Sequence, residues 1–332
     1  MMQHIDVIGG SGFIGTRLVK RLQDRPDCAV RIIDKVASAT FPQLTAVADV
    51  RDAAQLTDQI STGATLINLA AEHRDDVQPR SLYDEVNVDG ARNICAAARS
   101  KGITTIVFTS SVAVYGFAPV DTDETGAIAP FNDYGRTKFE AEQVFTEWQR
   151  ERPDDRTLVI IRPTVVFGEN NRGNVYNLLR QIASRAFVMV GPGTNRKSMA
   201  YVENVAAFIE HCTQLAPGIH IVNYIDKPDM TMNELVCTVK QLLGKPARVG
   251  LRLPYTAGYL IGRVFDGIAS LTGKRFAISS IRVRKFCSDS AFASSASRMA
   301  FVPPKTLREA LTATVQHEFL SSRESEQLFY SE

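Results

Sequence analysis

The segment Gly9-Gly10-Ser11-Gly12-Phe13-Ile14-Gly15 constrains this chain more than any other. It follows a short apolar run, His4–Ile8, and opens a stretch of helical periodicity at 13–24. The glycines fit both GxxGxxG (Gly9, Gly12, Gly15) and GxGxxG (Gly10, Gly12, Gly15). A strand that turns straight into a helix through glycine lets a pyrophosphate approach the backbone at the helix N-terminus. Tight turns and helix packing also select glycine, so the triplet gains weight only from its context. That context is Asp34, which ends the second apolar run 19 residues after Gly15. A carboxylate there accepts from adenosine ribose hydroxyls and repels a 2′-phosphate, which favours NAD over NADP. Lys35 beside it blunts the preference.

The rhythm of the first 165 residues agrees. Apolar runs at His4–Ile8, Ala29–Asp34, Leu44–Ala48, Thr65–Leu69, Thr105–Thr109 and Leu158–Ile161 alternate with helical stretches at 13–24, 52–60, 81–100 and 135–150. Nearly continuous Val, Ile and Leu is the mark of strands buried on both faces. The expected class is α/β: a Rossmann-type doubly wound parallel sheet with a smaller mixed C-terminal substrate lobe. After Phe167 long polar loops (Gly168–Asn174, Gly191–Ser198) intervene, with no Gly/Ser/Pro linker. The division expected is an NAD-binding domain over 1–165, to which 203–223 returns, and a substrate lobe made of 166–202 and 224–332.

Composition excludes several alternatives. A chain of 332 residues with 45% apolar and 22% charged side chains can bury a core, which rules out disorder. Net charge is only +2, which argues against a nucleic-acid partner. The five scattered cysteines form no CxxC pair and point to reduced thiols in the cytoplasm, and the histidines have no metal-ligand spacing. No apolar run is long enough to span a bilayer, and the N-terminus has no signal-peptide pattern. The small net charge hides an asymmetry. Residues 248–287 hold eight basic side chains against one acid, Asp266.

Tyr134-Gly-Arg-Thr-Lys138 opens the helical stretch that runs through Trp148. Positions i and i+4 share a helix face, and a cation beside a phenol favours phenolate, a usable general base. Upstream, Phe108-Thr-Ser-Ser111-Val-Ala-Val-Tyr-Gly116 leaves a hydroxyl at the carboxyl edge of a parallel strand, where such sheets bind ligands. Strand alternation lets only one of Ser110 and Ser111 face the substrate.

Taken together, the glycine run, the Ser-Ser-Val-Ala-Val-Tyr-Gly segment and Tyr134-x-x-x-Lys138 resemble the extended short-chain dehydrogenase/reductase family of nucleotide-sugar epimerases and dehydratases. Asp49-Val50, Asn68-Leu-Ala70-Ala71, Asn87 and Arg162-Pro163 match it too. The resemblance implies NAD as cofactor, held by Gly9, Gly12, Phe13, Ile14, Gly15, Asp34, Asp49, Val50, Ala70, Ala71, Asn87, Tyr134 and Lys138. Tyr134 would take the proton from the sugar 4-hydroxyl with Ser111 on the same oxygen, while Lys138 would hold the nicotinamide ribose. Hydride would leave C4 and return to its opposite face after the 4-keto sugar rotates.

Ala70-Ala-Glu-His-Arg-Asp-Asp-Val77, Gly168-Glu-Asn-Asn-Arg-Gly-Asn174 and Lys197-Ser-Met-Ala-Tyr201 are similar to a bacterial branch of O-antigen assembly. That branch interconverts GlcNAc and GalNAc on undecaprenyl diphosphate. The implied substrate is a diphosphate-linked amino sugar, lipid-linked or UDP-linked. Candidate substrate residues are Arg172, Asn174, Lys197 and Arg282, with a solvated loop charge as the alternative for Arg172 and Lys197. Lys197 stands where many relatives carry Arg, and Thr164 where many carry Asn, which weakens the match to nucleotide-sugar binding. The other readings are a UDP-GlcNAc or UDP-Glc 4-epimerase, an NADPH-dependent 4-keto-sugar reductase, which Asp34 opposes, and a noncatalytic scaffold, which intact Ser111, Tyr134 and Lys138 oppose.

In 255–272, Ala257, Leu260, Ile261, Val264, Phe265, Ile268 and Leu271 fall on one side of a helix. That face either covers the small lobe or, through 255–285, lies against an anionic membrane on the inner face of the bacterial inner membrane. The resemblance also implies a homodimer, with helices 81–100 and 135–150 as its expected contact.

Overall fold

Strand alternation builds the centre of the protein, for which a computed structural model describes residues 2–74, 77–184, 187–272, 279–321 and 327–330. Asp75, Asp76, Gly273, Lys274 and Arg275, which belong to the motifs and the basic stretch above, lie outside the described residues. Among the described residues, seven parallel strands form one sheet: β1 (Gln3–Ile8), β2 (Cys28–Asp34), β3 (Thr45–Val47), β4 (Thr65–Asn68), β5 (Thr105–Thr109), β6 (Thr157–Pro163) and, numbered in chain order after the short strands below, β11 (Gly218–Tyr224). Their order is β11-β6-β5-β4-β1-β2-β3, so it reverses beside β1, where doubly wound sheets open a crevice. Register follows the expected strands closely; Ile5 pairs with Val30 and Thr65, and Phe108 with Ile160.

Each strand sends alternate residues to opposite faces. On one face Ile106 and Phe108 pack with α3 (Gly90–Ser100) and α4 (Asp133–Arg150), where Phe145 and Trp148 are fully buried. On the other, Ile5, Val7 and Val107 pack under α1 (Phe13–Gln23) and α6 (Val202–Cys212). The short helix α2 (Ala53–Gln59) adds Leu56 to the first face.

One expected helix is not uniform. Within 81–100, Asp84–Asp89 form a π-turn ahead of α3. The wider turn brings in Asn87, whose side chain accepts from Glu72 N (2.8 Å) and donates to Glu72 O (3.0 Å) and Thr137 Oγ1 (2.9 Å). The competing hydrogen bonds account for the departure from α geometry at this position.

A separate apolar cluster joins α5 (Asn174–Ala183), α7 (Met232–Leu242) and α10 (Leu307–Val315) through Leu179, Ile182, Leu235, Val236 and Leu311. Short strands β7 (Val165–Phe167), β8 (Met189–Val190), β9 (Arg196–Lys197), β10 (Met199–Tyr201), β12 (Met230–Thr231) and β13 (Arg252–Leu253) tie its loops together.

Helix α8 (Tyr255–Thr272) overturns the covering role considered for its apolar face. Its two buried residues are Gly258 and Gly262. A Cβ at Gly262 would stand 2.7 Å from Ser280 N, at the start of α9 (Ser280–Cys287), and one at Gly258 would stand 2.5 Å from the Val190 side chain. The helix therefore docks through its glycines, and Leu260, Val264 and Leu271 are 65%, 62% and 89% exposed. Side chains this open contribute little to folding. Leu260→Ser and Val264→Ser are expected to change stability by no more than about 0.5 kcal/mol in denaturant titration, whereas Phe145→Ala should cost about 3–5 kcal/mol.

Candidate active site

The crevice depends on two backbone approaches. Gly9 has φ +77°, and a Cβ there would sit 2.5 Å from Ala70 N; one at Gly15 would sit 2.6 Å from the Gly10 backbone. Without side chains in the way, the turn after β1 lies against the end of β4 and leaves a cavity of about 600 Å³. Gly9, Gly12, Phe13, Ile14 and Gly15 line it, as do Asp49, Val50, Ala70 and Ala71. Its size is that of a small-molecule site, and a Cβ at either glycine would force apart the backbone turn that a pyrophosphate needs close to the helix N-terminus.

Asp34 lines the same cavity and folds the glycine turn over β2. Its carboxylate accepts from Ser11 N (3.0 Å) and Val36 N (3.2 Å). Asp49 is paired with Arg51 at 2.7 Å, which holds its carboxyl below the usual range. Asn87 does not line the cavity. It stands behind it and braces the Glu72 backbone, a correction to its expected cofactor contact that follows from the π-turn.

At the other end of the cavity stand Ser111, Tyr134 and Lys138. The Asn132 side chain caps α4 by accepting from Gly135 N at 2.9 Å. A Cβ at Gly135 would lie 2.5 Å from Ala113 O, so glycine lets the first turn of α4 press against the turn that follows β5. That approach brings the Tyr134 phenol within hydrogen-bonding reach of Ser111. Burial pushes the phenol up to about 12, with Ser111 opposing the rise. Lys138 Nζ donates to Thr109 O (2.7 Å) and lies 4.7 Å from the Phe108 ring centroid. Burial drives its ammonium down to about 7. Both serines line the cavity, but Ser110 donates to Glu142 Oε1 at 2.5 Å, whereas Ser111 stands beside Tyr134.

The expected substrate residues divide. Asn174 lines the cavity, but Arg172, Lys197 and Arg282 do not. Arg172 bonds Glu318 (3.1 Å) and stacks on the Tyr176 ring (4.1 Å). It is also held from outside: Arg172 N donates to Phe329 O, and the Phe329 ring lies 5.7 Å from Phe13. Lys197 Nζ donates to the carbonyls of Lys285 (2.8 Å) and Ser288 (2.7 Å), where a cation complements the C-terminus of α9. Arg282 is exposed on α9. The α9 residue that reaches the cavity is Lys285, with Phe131, Ser290 and Phe292 nearby. Lys285 Nζ lies 5.0 Å from the Phe131 ring and the Arg284 guanidinium 4.6 Å from the Phe117 ring, over two rings 4.9 Å apart.

This geometry agrees with comparison to known proteins. Residues 5–223 match the NAD dependent epimerase/dehydratase family. The chain belongs to that family. A curated relative, the N-acetyl-alpha-D-glucosaminyl-diphospho-ditrans,octacis-undecaprenol 4-epimerase of Escherichia coli O157:H7, is 47% identical and covers all of both chains. The UDP-glucose 4-epimerase of Vibrio cholerae is 27% identical over 95% of each. Among solved structures, a UDP-glucuronic acid 4-epimerase from Bacillus cereus in complex with NAD shares the fold, with TM-score 0.72 and 18% identity over 95% of this chain and 98% of that one. Membership makes NAD the cofactor, and the glycine turn fits it. Gly9→Ala is expected to abolish saturable NAD binding in a calorimetric titration, because both the positive φ and the 2.5 Å approach exclude a methyl group.

Proposed function

We propose that this protein is a 4-epimerase that interconverts GlcNAc and GalNAc on a diphosphate carrier, with undecaprenyl diphosphate as the carrier it prefers. The observation that carries the reading is that Ser111, Tyr134 and Lys138 line one cavity together with the glycine turn and Asp34. The full-length likeness to the undecaprenol-linked enzyme supports the choice of carrier. In this reading 1–165 with 203–223 hold the cofactor, and 166–202 with 224–332 hold the substrate.

NAD, when bound, supplies a hydride acceptor and donor for the sugar C4. Gly9, Gly12 and Gly15 cradle its pyrophosphate, Asp34 its adenosine ribose, and Lys138 its nicotinamide ribose. Tyr134 takes the proton of the sugar 4-hydroxyl, and Ser111 orients that oxygen. Ser111 opposes the rise that burial gives the Tyr134 phenol, and Lys138 puts a cation one helical turn further along the same face. Asn174 and Lys285 stand on the substrate side, where an ammonium matches a diphosphate. Arg172 and Lys197 act at one remove, by fixing the loop at 168–174 and the end of α9.

The exposed apolar side of α8 and the basic residues around it, Arg252, Arg263 and Arg284 among them, fit an anionic bilayer surface. No described helix is long and apolar enough to cross a membrane. Contact of this kind would hold the protein on the cytoplasmic face, beside a lipid-linked substrate. A homodimer through α3 and α4 belongs to the same reading, and the ion pairs Arg99–Glu151 and Arg136–Asp84 lie at the ends of that helix pair.

The test is to supply undecaprenyl-diphosphate-GlcNAc and, separately, UDP-GlcNAc without added NADPH, and to analyse the released sugar. GalNAc from the lipid-linked substrate is expected. GalNAc from UDP-GlcNAc alone would make this a nucleotide-sugar epimerase, and none from either would overturn epimerisation. Tyr134→Phe should lower kcat by about 10²–10⁴-fold while NAD stays bound. In flotation with phosphatidylglycerol vesicles, wild-type protein should rise with the lipid, and Leu260→Ser/Val264→Ser/Leu271→Ser should remain at the bottom.

A further inference from the structure

Beneath the site lies a buried set of polar groups that reaches the cavity at Ser110. Glu142 is one helical turn beyond Lys138 on α4, so Tyr134, Lys138 and Glu142 follow one another at intervals of four along one face. The Glu142 side chain is 2% exposed and that of Arg162, on β6, 4%. They form a two-pronged pair: Arg162 Nε donates to Glu142 Oε1 (2.9 Å) and Nη2 to Oε2 (2.6 Å). Ser110, next to Ser111 at the end of β5, donates to the same Oε1. Arg162 Nη1 donates to Tyr115 Oη (2.6 Å), which donates to Asn223 Oδ1 (2.9 Å). Asn223 Nδ2 donates to Ala293 O (3.0 Å), beside the cavity-lining Phe292.

Around Lys138, Tyr134 and Glu142 share its helix, Phe108 and the Thr109 carbonyl come from β5, and His73 from the loop after β4, while Arg162 on β6 and Tyr115 in the turn after β5 stand on the far side of the Glu142 carboxylate. Burial removes solvent from the ammonium, and the charge that opposes its deprotonation is the Glu142 carboxylate. Two hydrogen bonds from Arg162 and one from Ser110 leave that carboxylate no freedom to turn away.

We infer that Glu142 is a positioning residue of the reaction: clamped by Arg162 and Ser110, its carboxylate keeps Lys138 an ammonium at the end of the cavity. The inference rests on the assignment of Tyr134 and Lys138 proposed above. Removing the Glu142 charge should let Lys138 lose its proton at lower pH. Because the ammonium is the active form, activity should then fall away at lower pH on the alkaline side, while the acid side keeps its activity.

The experiment is the pH profile of kcat with NAD-loaded protein, for wild type, Glu142→Gln and Glu142→Asp. For Glu142→Gln the alkaline limb should move down by roughly 1 pH unit, the scale of effect of one nearby charge. Glu142→Asp, which keeps the charge, should hold the limb near its wild-type position even if kcat drops. An unmoved limb in Glu142→Gln, or an equal displacement in both variants, would overturn the inference. Should Glu142→Gln fail to fold with Arg162 left unpaired, Glu142→Gln/Arg162→Met is compared with Arg162→Met, so that the two differ only in the carboxylate: the alkaline limb should lie lower in the double variant, and equal limbs would count against the inference. Tyr134→Phe, measured alongside, separates the two failures. If it keeps wild-type activity, the catalytic assignment has failed; if it is inactive and the Glu142 limb stays put, only the role of Glu142 has.

Discussion

The site exists because backbone can touch backbone at Gly9 and Gly15. With the first strand and first helix pressed that closely against the end of β4 and each other, the sheet opens a crevice at its point of reversal. Asp34 then needs only to reach across from the next strand to close the turn. A third approach of the same kind, Gly135 against Ala113, sets α4 against the turn after β5 and so brings Tyr134 to Ser111. Catalytic geometry here comes from close main-chain contacts, and side chains are placed by them.

What was legible in the sequence was what is local. Glycine spacing, Asp34 at a strand end and Tyr134 four residues before Lys138 each carry their meaning within a helical turn or one strand–helix unit, and each lines the cavity. The substrate residues were harder because their partners are remote. Arg172 meets Glu318, 146 positions away, and Lys197 meets carbonyls at 285 and 288, on another element. A charge in a polar loop looks the same in sequence whether it faces a ligand or a carboxylate from the far end of the chain. Asn87 shows a different limit: the side chain was right to single out, but a π-turn redirected it to brace a loop.

The apolar stripe of α8 was visible as periodicity, yet periodicity does not say which side of a helix meets the protein. Two glycines decided that, because a helix can approach its neighbours most closely where it has no side chains. The aliphatic residues were left outside as a consequence. The buried polar layer around Arg162 was similarly silent in sequence. Glu142 sits where a helix would be expected to carry a solvated charge, and only the position of β6 beneath it turns that charge inward.

The outward stripe of α8 also governs how the protein behaves away from lipid. Leu260, Val264 and Leu271 gain by burial against any apolar surface within reach, and in plain buffer that surface is another molecule of the same protein. Strongly excluded salts such as sulfate strengthen such self-adhesion, while ionic strength of any kind weakens the pull of anionic headgroups on the neighbouring basic residues. Under the membrane contact proposed above, ionic conditions would act with opposite sign on lipid binding and on self-adhesion of one surface.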